Sequence, residues 1–353
     1  MSETTSPGTS EIAASLVTLH QELAAFTRAQ QDGIFADRPM QDATVTPLSA
    51  GHHNINALVT VGDFTCVART RPNKMGESCN PIEAEYAKLS VLGGQFCPTP
   101  FHLSQMPCQA GGTTPVLYME HIPGETRDMS DLSPKQTKHI AQMLSQLHST
   151  PIEHLAALDL EAPNSLEEYI EQTIQRCVLD KLAEIDTTDP LYGRALGHIT
   201  TLLGLLQQEL TRHQAAFVQN KLSPLHRDVS KGNVLWLPDD SCKLIDWEGL
   251  CLGDPADDAS YFLIDNRVKP SGWQEFMHHY MPPTGDHTFY QRLKAYHLKN
   301  WADDMTWALI GYDRERKGQE VICADRPGLF KGYFEDRLTR LGAFLGNLRY
   351  NEA

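Results

Sequence analysis

The chain has 353 residues, of which 41% are apolar and 21% charged, and its formal net charge is −15. A chain of this length is expected to form two lobes or domains instead of one compact core. Nucleic-acid binding is disfavoured as the main activity, because neutralising phosphates requires a basic surface. The negative charge would attract a cationic substrate, although many proteins are acidic for solubility alone.

Membrane insertion and disulfide bonding are not expected from the composition. No apolar run of about 18 residues occurs, so the sequence predicts no transmembrane helix and no membrane partner. The first residues, MSETTSPGTSEIAAS, lack the basic start and apolar block of a signal peptide. The 8 cysteines are scattered without a CxxC pair, which favours a reducing cytoplasm and disfavours zinc.

The first third of the chain is predicted to combine strands with two helices. Residues 1–10 have the composition of a disordered tail, and an apolar repeat at steps of three and four begins a helix at residue 11. Strands and turns are expected over residues 44–71, and PIEAEYAKLSVL is predicted to be helical. Pro98 and Pro100 are expected to end this unit.

The rest of the chain is predicted to be mainly helical. Ser133 and Pro134 are a favourable cap and first-turn pair for the amphipathic segment that follows them. Residues 151–220 and 260–350 have helical patterns, and no internal repeat is visible. A short β-hairpin is expected between these two helical segments.

The hairpin belongs to the most informative stretch, HRDVSKGNVLWLPDDSCKLID, in which Asp228 precedes Asn233 by five residues and Asp246 ends the stretch. NVLWL and CKLID are β-prone runs separated by the turn-like PDDS. If these four residues form the loop, Leu237 pairs with Cys242 and Asn233 lies opposite Asp246. This pairing would bring together two oxygen ligands of the kind that magnesium prefers.

These motifs, together with IDWE and GDPADDA after the second strand, resemble the catalytic core of the aminoglycoside phosphotransferase and choline kinase superfamily. Arg227 makes the HRD triplet similar to that of protein kinases. However, Glu248 stands where protein kinases carry the glycine of Asp-Phe-Gly, and no Ala-Pro-Glu segment follows. The resemblance therefore favours the small-molecule branch of the kinase-like proteins.

The resemblance implies an α+β fold of two protein-kinase-like lobes, with ATP and Mg²⁺ as cofactors. A small antiparallel-sheet lobe with its N-terminal helix would span residues 11–122, and a larger, mostly helical lobe residues 123–353. Asp228 would accept or orient the proton of a substrate hydroxyl, and Asn233 and Asp246 would hold magnesium.

Further nucleotide-binding residues follow from the same resemblance. Arg69 occupies the position of the phosphate-binding lysine of kinases, and Glu85 would orient it through a salt bridge. Arg71 lies on the same strand face and is the competing cation, as Glu83 is the competing carboxylate. Other candidates are a Gly-x-x-Asn element over the phosphates, Gly51 and Asn54, and a hinge segment whose backbone would bind adenine, Glu120 and Ile122.

The phosphoryl acceptor is expected to be a small hydroxyl compound, such as an aminoglycoside-like or choline-like amino-alcohol. Candidate acceptor-binding residues lie on one helical segment, where aromatic faces and carboxylates would suit an ammonium group: Trp301, Asp303, Asp304 and Trp307. A tryptophan stripe on a helix is more often part of the core. A protein kinase and a catalytically inactive nucleotide-binding homologue are the alternative functions.

Overall fold

The computed structural model describes residues 9–48, 54–71, 81–107, 112–218, 221–318 and 328–351. The helices, in chain order, are α1 (Thr9–Arg28), α2 (Pro81–Leu92), α3 (Pro134–His148), α4 (Leu166–Ile174), α5 (Asp180–Leu182), α6 (Gly193–Arg212), α7 (Gln214–Phe217), α8 (Pro255–Asp265), α9 (Pro270–His279), α10 (Phe289–Arg316) and α11 (Leu329–Asn351). The strands are β1 (Thr44–Pro47), β2 (Ile55–Val61), β3 (Phe64–Thr70), β4 (Pro100–Pro107), β5 (Thr113–Glu120), β6 (Ser223–Leu225), β7 (Val234–Trp236), β8 (Cys242–Leu244) and β9 (Cys251–Gly253).

The chain divides into two compact units. The first contains the described residues up to Arg127, together with Leu155–Leu158 and Gly232–Gly249. The second contains Asp128–His154, Asp159–Lys231 and the described residues from Leu250 onward. The β7–β8 hairpin therefore belongs to the first unit, although the sequence analysis assigned it to the helical lobe.

The first unit is built on an antiparallel sheet with the strand order β1-β2-β3-β5-β4. Alternate residues of β2 are buried, as expected for a strand with one face on the core. The core on this side joins α1 to the sheet through Leu23, Phe35, Val59 and Tyr118. The Thr27 hydroxyl and the Tyr118 hydroxyl are 3.1 Å apart and share a hydrogen bond.

Strand β4 was not predicted, because its sequence lies between prolines. Among the described strands it pairs with β5 alone and is thus an edge strand, where the missing N–H of a proline is tolerated. The predicted strands over residues 44–71 and the predicted helix PIEAEYAKLSVL are confirmed. The helix α1 begins at Thr9, inside the expected tail, and residues 1–8 lie outside the described part.

The β7–β8 hairpin is confirmed, but the predicted register is wrong by one residue. Trp236 pairs with Cys242, and the Ile245 N–H donates to the Asn233 carbonyl over 2.9 Å. The loop is shorter than expected because the Leu237 N–H donates to the Ser241 carbonyl, and Asp240 closes the turn with φ of 65°. Asn233 therefore lies opposite Ile245, and Asp246 is the next residue.

The second unit is organised around the long helix α10, which packs against α6, α8 and α11. Strands β6 and β9 form a small antiparallel pair, of which β6 packs against α3 and α8. The predicted cap of α3 is confirmed: Ser133 Oγ accepts from the Gln136 N–H, and the Gln136 side chain accepts from the Ser133 N–H. Among the described residues, no helix is both long and apolar enough to span a membrane.

Candidate active site

The predicted catalytic loop, which contains Asp228, follows β6 and is held by Asp258 of α8. The Asp258 carboxylate accepts hydrogen bonds from the backbone N–H groups of His226 and Arg227, at 2.7 and 2.8 Å. Arg227 has φ of 74°, a left-handed conformation that these bonds stabilise. His226 is fully buried, and its Nδ1 accepts from the Asp228 N–H. The backbone N–H groups of His226, Arg227 and Asp228 are therefore all hydrogen-bonded, which fixes the loop that contains Asp228.

A buried chain of hydrogen bonds links Asp258 to His148 and Tyr280. His148 Nε2 lies 3.2 Å from the Asp258 carboxylate, and His148 Nδ1 lies 2.7 Å from the Tyr280 hydroxyl. With the proton on Nε2, His148 donates to Asp258 and accepts from Tyr280. This chain connects α3 to the catalytic loop through side chains that are almost fully buried.

Arg227 is bound within the second unit. Its Nη1 donates to the Tyr169 hydroxyl over 2.6 Å and to the Asp257 carboxylate over 3.1 Å. Lys299 lies 3.3 Å from the other oxygen of Asp257. Burial would raise the pKa of Asp257, but the charges of Lys299 and Arg227 lower it below its ordinary value. Asp257 therefore stays ionised and orders the arginine of the HRD triplet.

Asp228 lies beside a hydroxyl and further carboxylates of the same unit. The Tyr261 hydroxyl donates to Asp228 Oδ1 over 3.2 Å. Burial and the neighbouring Asp304 raise the pKa of Asp265 to about 6, and Asp228 contributes in the same direction. Arg337 opposes this shift and is shared between Asp304, at 3.0 Å, and Asp265, at 3.4 Å. The region around Asp228 is thus rich in negative charge, which the guanidinium groups of Arg337 and Arg340 partly offset.

Arg69 is the centre of the candidate phosphate-binding site in the first unit. Its Nε donates to Asn56 Oδ1, and its Nη1 lies 2.6 Å from Glu85 and 3.2 Å from Asp246. Burial alone would lower the pKa of Arg69, but the charges of Glu85 and Asp246 raise it above its ordinary value. The structure therefore joins the predicted Arg69–Glu85 pair to Asp246, which the sequence analysis assigned separately to magnesium.

The competing residues make different contacts. Arg71 lies 3.4 Å from Glu248, and Glu83 accepts from the Gln105 side chain over 2.8 Å. Glu248 is partly buried, and burial followed by the charge of Asp246 raises its pKa above the ordinary value. Arg69 is thus the arginine of this strand that pairs with Glu85 and Asp246.

The remaining nucleotide-binding candidates of the first unit are only partly described. Gly51 lies outside the described residues. Asn54 is 5% exposed, and its Oδ1 is buried without a hydrogen-bond partner. The Glu120 carboxylate accepts from the Thr99 N–H and from Lys243, while the Ile122 carbonyl accepts from the Gly124 N–H. Each of these assignments to nucleotide binding stays a prediction.

The candidate acceptor residues lie on different sides of α10. Trp301 stacks on Phe344, with ring centroids 5.6 Å apart, and Trp307 packs against the ring of Tyr333 at 5.5 Å. Asp303 lies 3.7 Å from Lys299, and Asp304 pairs with Arg337. The two tryptophans therefore make core contacts with α11, and Asp304 belongs to the acidic region near Asp228.

Asp254 belongs to the same GDPADDA motif as Asp258, but it makes different contacts. Asp254 instead caps α8 by accepting from the Ala256 N–H, and it binds the fully buried Arg292 through both carboxylate oxygens. Tyr261, Tyr280 and Arg337 were not singled out from the sequence, because no local spacing links them to the motifs.

The model of the phosphotransferase enzyme family matches residues 44–304, which is more than half of the chain. The chain belongs to this family. The predicted superfamily, the two-lobe kinase-like fold and the expectation of a small-molecule phosphotransferase are confirmed. No curated protein matches the chain in sequence.

Several solved structures share the fold. A choline/ethanolamine kinase family protein from Mesorhizobium loti is 18% identical, with a TM-score of 0.57, over 92% of this chain and 93% of that one. The choline kinase LicA from Streptococcus pneumoniae is 17% identical, with a TM-score of 0.56, over 86% and 94%. A spectinomycin phosphotransferase in complex with ADP and spectinomycin is 17% identical, with a TM-score of 0.53, over 85% and 92%.

Proposed function

We propose that the enzyme transfers the γ-phosphoryl group of ATP to a hydroxyl of a small cationic molecule. The main support for this proposal is a cluster of ion pairs: Arg69 Nη1 lies 2.6 Å from Glu85 Oε1 and 3.2 Å from Asp246 Oδ1. Arg69 and Asp246 are 177 positions apart in the chain, so this contact is made by the fold and by no local pattern. An ordered, charged guanidinium beside a carboxylate fits the binding of a metal–nucleotide complex.

Different residues would bind the nucleotide phosphates and accept the proton. Arg69, held by Glu85, supports the α- and β-phosphates. Asp228 takes up the proton of the acceptor hydroxyl as the hydroxyl oxygen bonds to the γ-phosphorus and the bond to the β-phosphate oxygen breaks, which leaves ADP. Positioning and charge stabilisation account for most of the catalysis in phosphoryl transfer.

Magnesium is the cofactor that this chemistry implies. Asn233 and Asp246 would hold it, since amide and carboxylate oxygens are its preferred protein ligands. At the open end of the β7–β8 hairpin, Asn233 lies opposite Ile245, and Asp246 is the next residue of the second strand segment. Within the described ranges no three His, Cys, Asp or Glu side chains cluster as a metal site, so phosphates and water would complete the coordination. The ion would neutralise phosphate charge when bound.

A cationic acceptor is supported by the charges around Asp228. Asp265 and Asp304 lie in the same region, and Asp304 Oδ2 is buried without a hydrogen-bond partner. These aspartates already pair with the guanidinium of Arg337, which also lies 5.0 Å from the ring of Tyr333. Carboxylates and an aromatic face are the groups that an ammonium ion would use. The net charge of −15 acts in the same direction.

A reducing compartment, the cytoplasm, fits this function. Five of the described cysteines are free thiols: Cys66, Cys97, Cys177, Cys242 and Cys251. Disulfide-poor chains are typical of compartments in which thiols are kept reduced.

The test is magnesium-dependent release of ADP against a panel of hydroxyl compounds. The panel contains choline, ethanolamine, aminoglycosides, homoserine and methylthioribose, with glycerol as a neutral compound. Asp228→Asn should lower kcat roughly 10²–10⁴-fold, the value of a positioned acid–base group. Asp37→Asn, at an exposed aspartate, is the matched control and should retain activity. Turnover of a cationic compound that survives in Asp228→Asn would contradict the proposal.

A further inference from the structure

Asn56 and Arg69 lie directly opposite each other in the β2–β3 pair. Side chains at such cross-strand positions are on the same face of the sheet, with Cβ atoms about 5 Å apart. The Arg69 Nε donates to Asn56 Oδ1 over 2.9 Å. The amide oxygen must be the atom that faces Nε, because a guanidinium nitrogen is always a donor. The sequence analysis did not single out Asn56, since this contact depends on the register of the two strands.

The guanidinium of Arg69 is fixed by hydrogen bonds at two of its nitrogens. A single bond would let the planar group swing about that contact, whereas bonds at Nε and Nη1 together define its plane. Glu85, the partner of Nη1, is itself held, because its Oε1 also accepts from the Trp247 N–H over 3.4 Å. Asp246 contacts Nη1 as well, but it is also the proposed magnesium ligand. The orientation of Arg69 therefore depends on Asn56 and Glu85.

Asn56 holds Arg69 without adding charge. Arg69 already faces the carboxylates of Glu85 and Asp246. A third carboxylate beside the guanidinium would weaken its attraction for a phosphate, whereas an amide oxygen accepts from Nε and remains neutral. Among the described residues, the hydrogen bonds of Arg69 use Nε and Nη1, so Nη2 can donate to a ligand.

We infer that Asn56 is a positioning residue for the arginine that binds the nucleotide phosphates. This inference rests on the proposed function, because the role of Asn56 is to direct Arg69 toward phosphate. Asn56 holds Nε, Glu85 holds Nη1, and Nη2 is presented to the phosphate oxygens. The role requires an arginine, since a lysine side chain has a single nitrogen and no equivalent of Nε. The contributions of Asn56 and Arg69 to phosphate binding should therefore depend on each other.

The first test is isothermal titration calorimetry with ADP and with adenosine, both without metal. Asn56→Leu removes the acceptor of Nε and should weaken ADP binding about tenfold, as expected for the loss of one hydrogen bond to a charged group. Adenosine carries no phosphate, so its affinity should change less than about twofold. Thr60→Val, on the same face of β2, is the control and should bind ADP like the wild type. Equal weakening of ADP and adenosine would indicate a general structural defect and overturn the inference.

The second test is a double-mutant cycle with Arg69→Lys, which asks whether Asn56 acts through Arg69. In the Arg69→Lys background, Asn56→Leu should weaken ADP binding less than about twofold, because the lysine has no Nε–H to hold. Losses of about tenfold in both backgrounds would show that Asn56 acts independently of Arg69, and would refute the positioning role. Asn56→Ala introduces no larger side chain and serves for the same comparisons if Asn56→Leu does not fold natively.

The unmodified protein separates this inference from the proposed function. If it binds ADP and the natively folded Asn56→Leu protein binds ADP equally well, Asn56 has no positioning role, while nucleotide binding stands. If the unmodified protein does not bind ADP, the proposed function fails, and the role of Asn56 fails with it.

Discussion

The hydroxyl of Tyr261 donates a hydrogen bond to Asp228 Oδ1 over 3.2 Å. Burial, and then the negative charge of Asp228, raise the pKa of Tyr261 well above its ordinary value, so the hydroxyl stays protonated. Tyr261 lies on α8, the helix whose Asp258 holds the backbone of the catalytic loop. One helix thus positions both the loop and the side chain that we propose as the proton acceptor.

Tyr261→Phe should therefore lower turnover without affecting nucleotide binding. Loss of one hydrogen bond to a charged group should reduce kcat about tenfold, while KM for the magnesium–ATP complex changes less than about twofold. Steady-state kinetics with the acceptor found in the panel measure both values. Tyr290→Phe, at an exposed tyrosine, is the control. Equal losses in kcat and in nucleotide affinity would indicate a general structural defect and contradict the positioning role.

Arg69 and Arg71 should differ sharply when each is replaced by lysine. Arg69 uses Nε and Nη1 to bind Asn56, Glu85 and Asp246, and a single ammonium group cannot reproduce this geometry. Arg69→Lys should raise KM for ATP about tenfold, and Arg71→Lys should change it less than about twofold. A larger effect at Arg71 would make Arg71 the phosphate-binding residue.

The stability of the protein should depend on pH through Asp265. Its native pKa of about 6 lies above the unfolded value of 3.8, because burial and Asp304 disfavour the charged form. The native state therefore binds this proton more tightly. Its contribution to stability is fully present below the unfolded pKa and is lost as the pH rises through about 6.

Urea denaturation at several pH values measures this contribution. Between pH 5 and pH 8 the wild type should lose about 1.4 kcal/mol of unfolding free energy relative to Asp265→Asn. The exposed Asp37→Asn protein should follow the wild type. Parallel curves for the wild type and Asp265→Asn would show that Asp265 titrates normally.

Replacing Arg292 should destabilise the fold more than replacing Arg314, although both arginines lie on α10 and form ion pairs. The side chains of Arg292 and Asp254 are fully buried, and that of Asp286 is almost fully buried. Arg292→Met would leave both carboxylates without their cation, so it should destabilise the fold by about 3–5 kcal/mol. Arg314→Met removes an exposed pair with Glu184 and should cost less than about 1 kcal/mol. Urea midpoints compare the two variants, and similar losses would contradict the distinction.

The elements predicted well from sequence are those that short-range signals specify. The Ser133 cap and the periodicity of PIEAEYAKLSVL depend on residues within a few positions of each other, and both match the structure. Strand β4 was missed because prolines at its ends exclude a central strand, and only pairing with β5 makes it an edge strand. The hairpin register shifted by one because Asp240 adopts positive φ and shortens the loop.

The sequence by itself determined the spacing of Asp228, Asn233 and Asp246 and, through the resemblance that this spacing carries, the family and the kinase-like fold class. Those features depend on residue types a few positions apart, because turn and strand preferences act over such short separations. The tertiary structure alone decided that Arg69, besides pairing with Glu85 as the resemblance implied, also contacts Asp246, and that the Tyr261 hydroxyl reaches Asp228. Such contacts join residues from distant segments, and they form only when the burial of apolar surface brings those segments together.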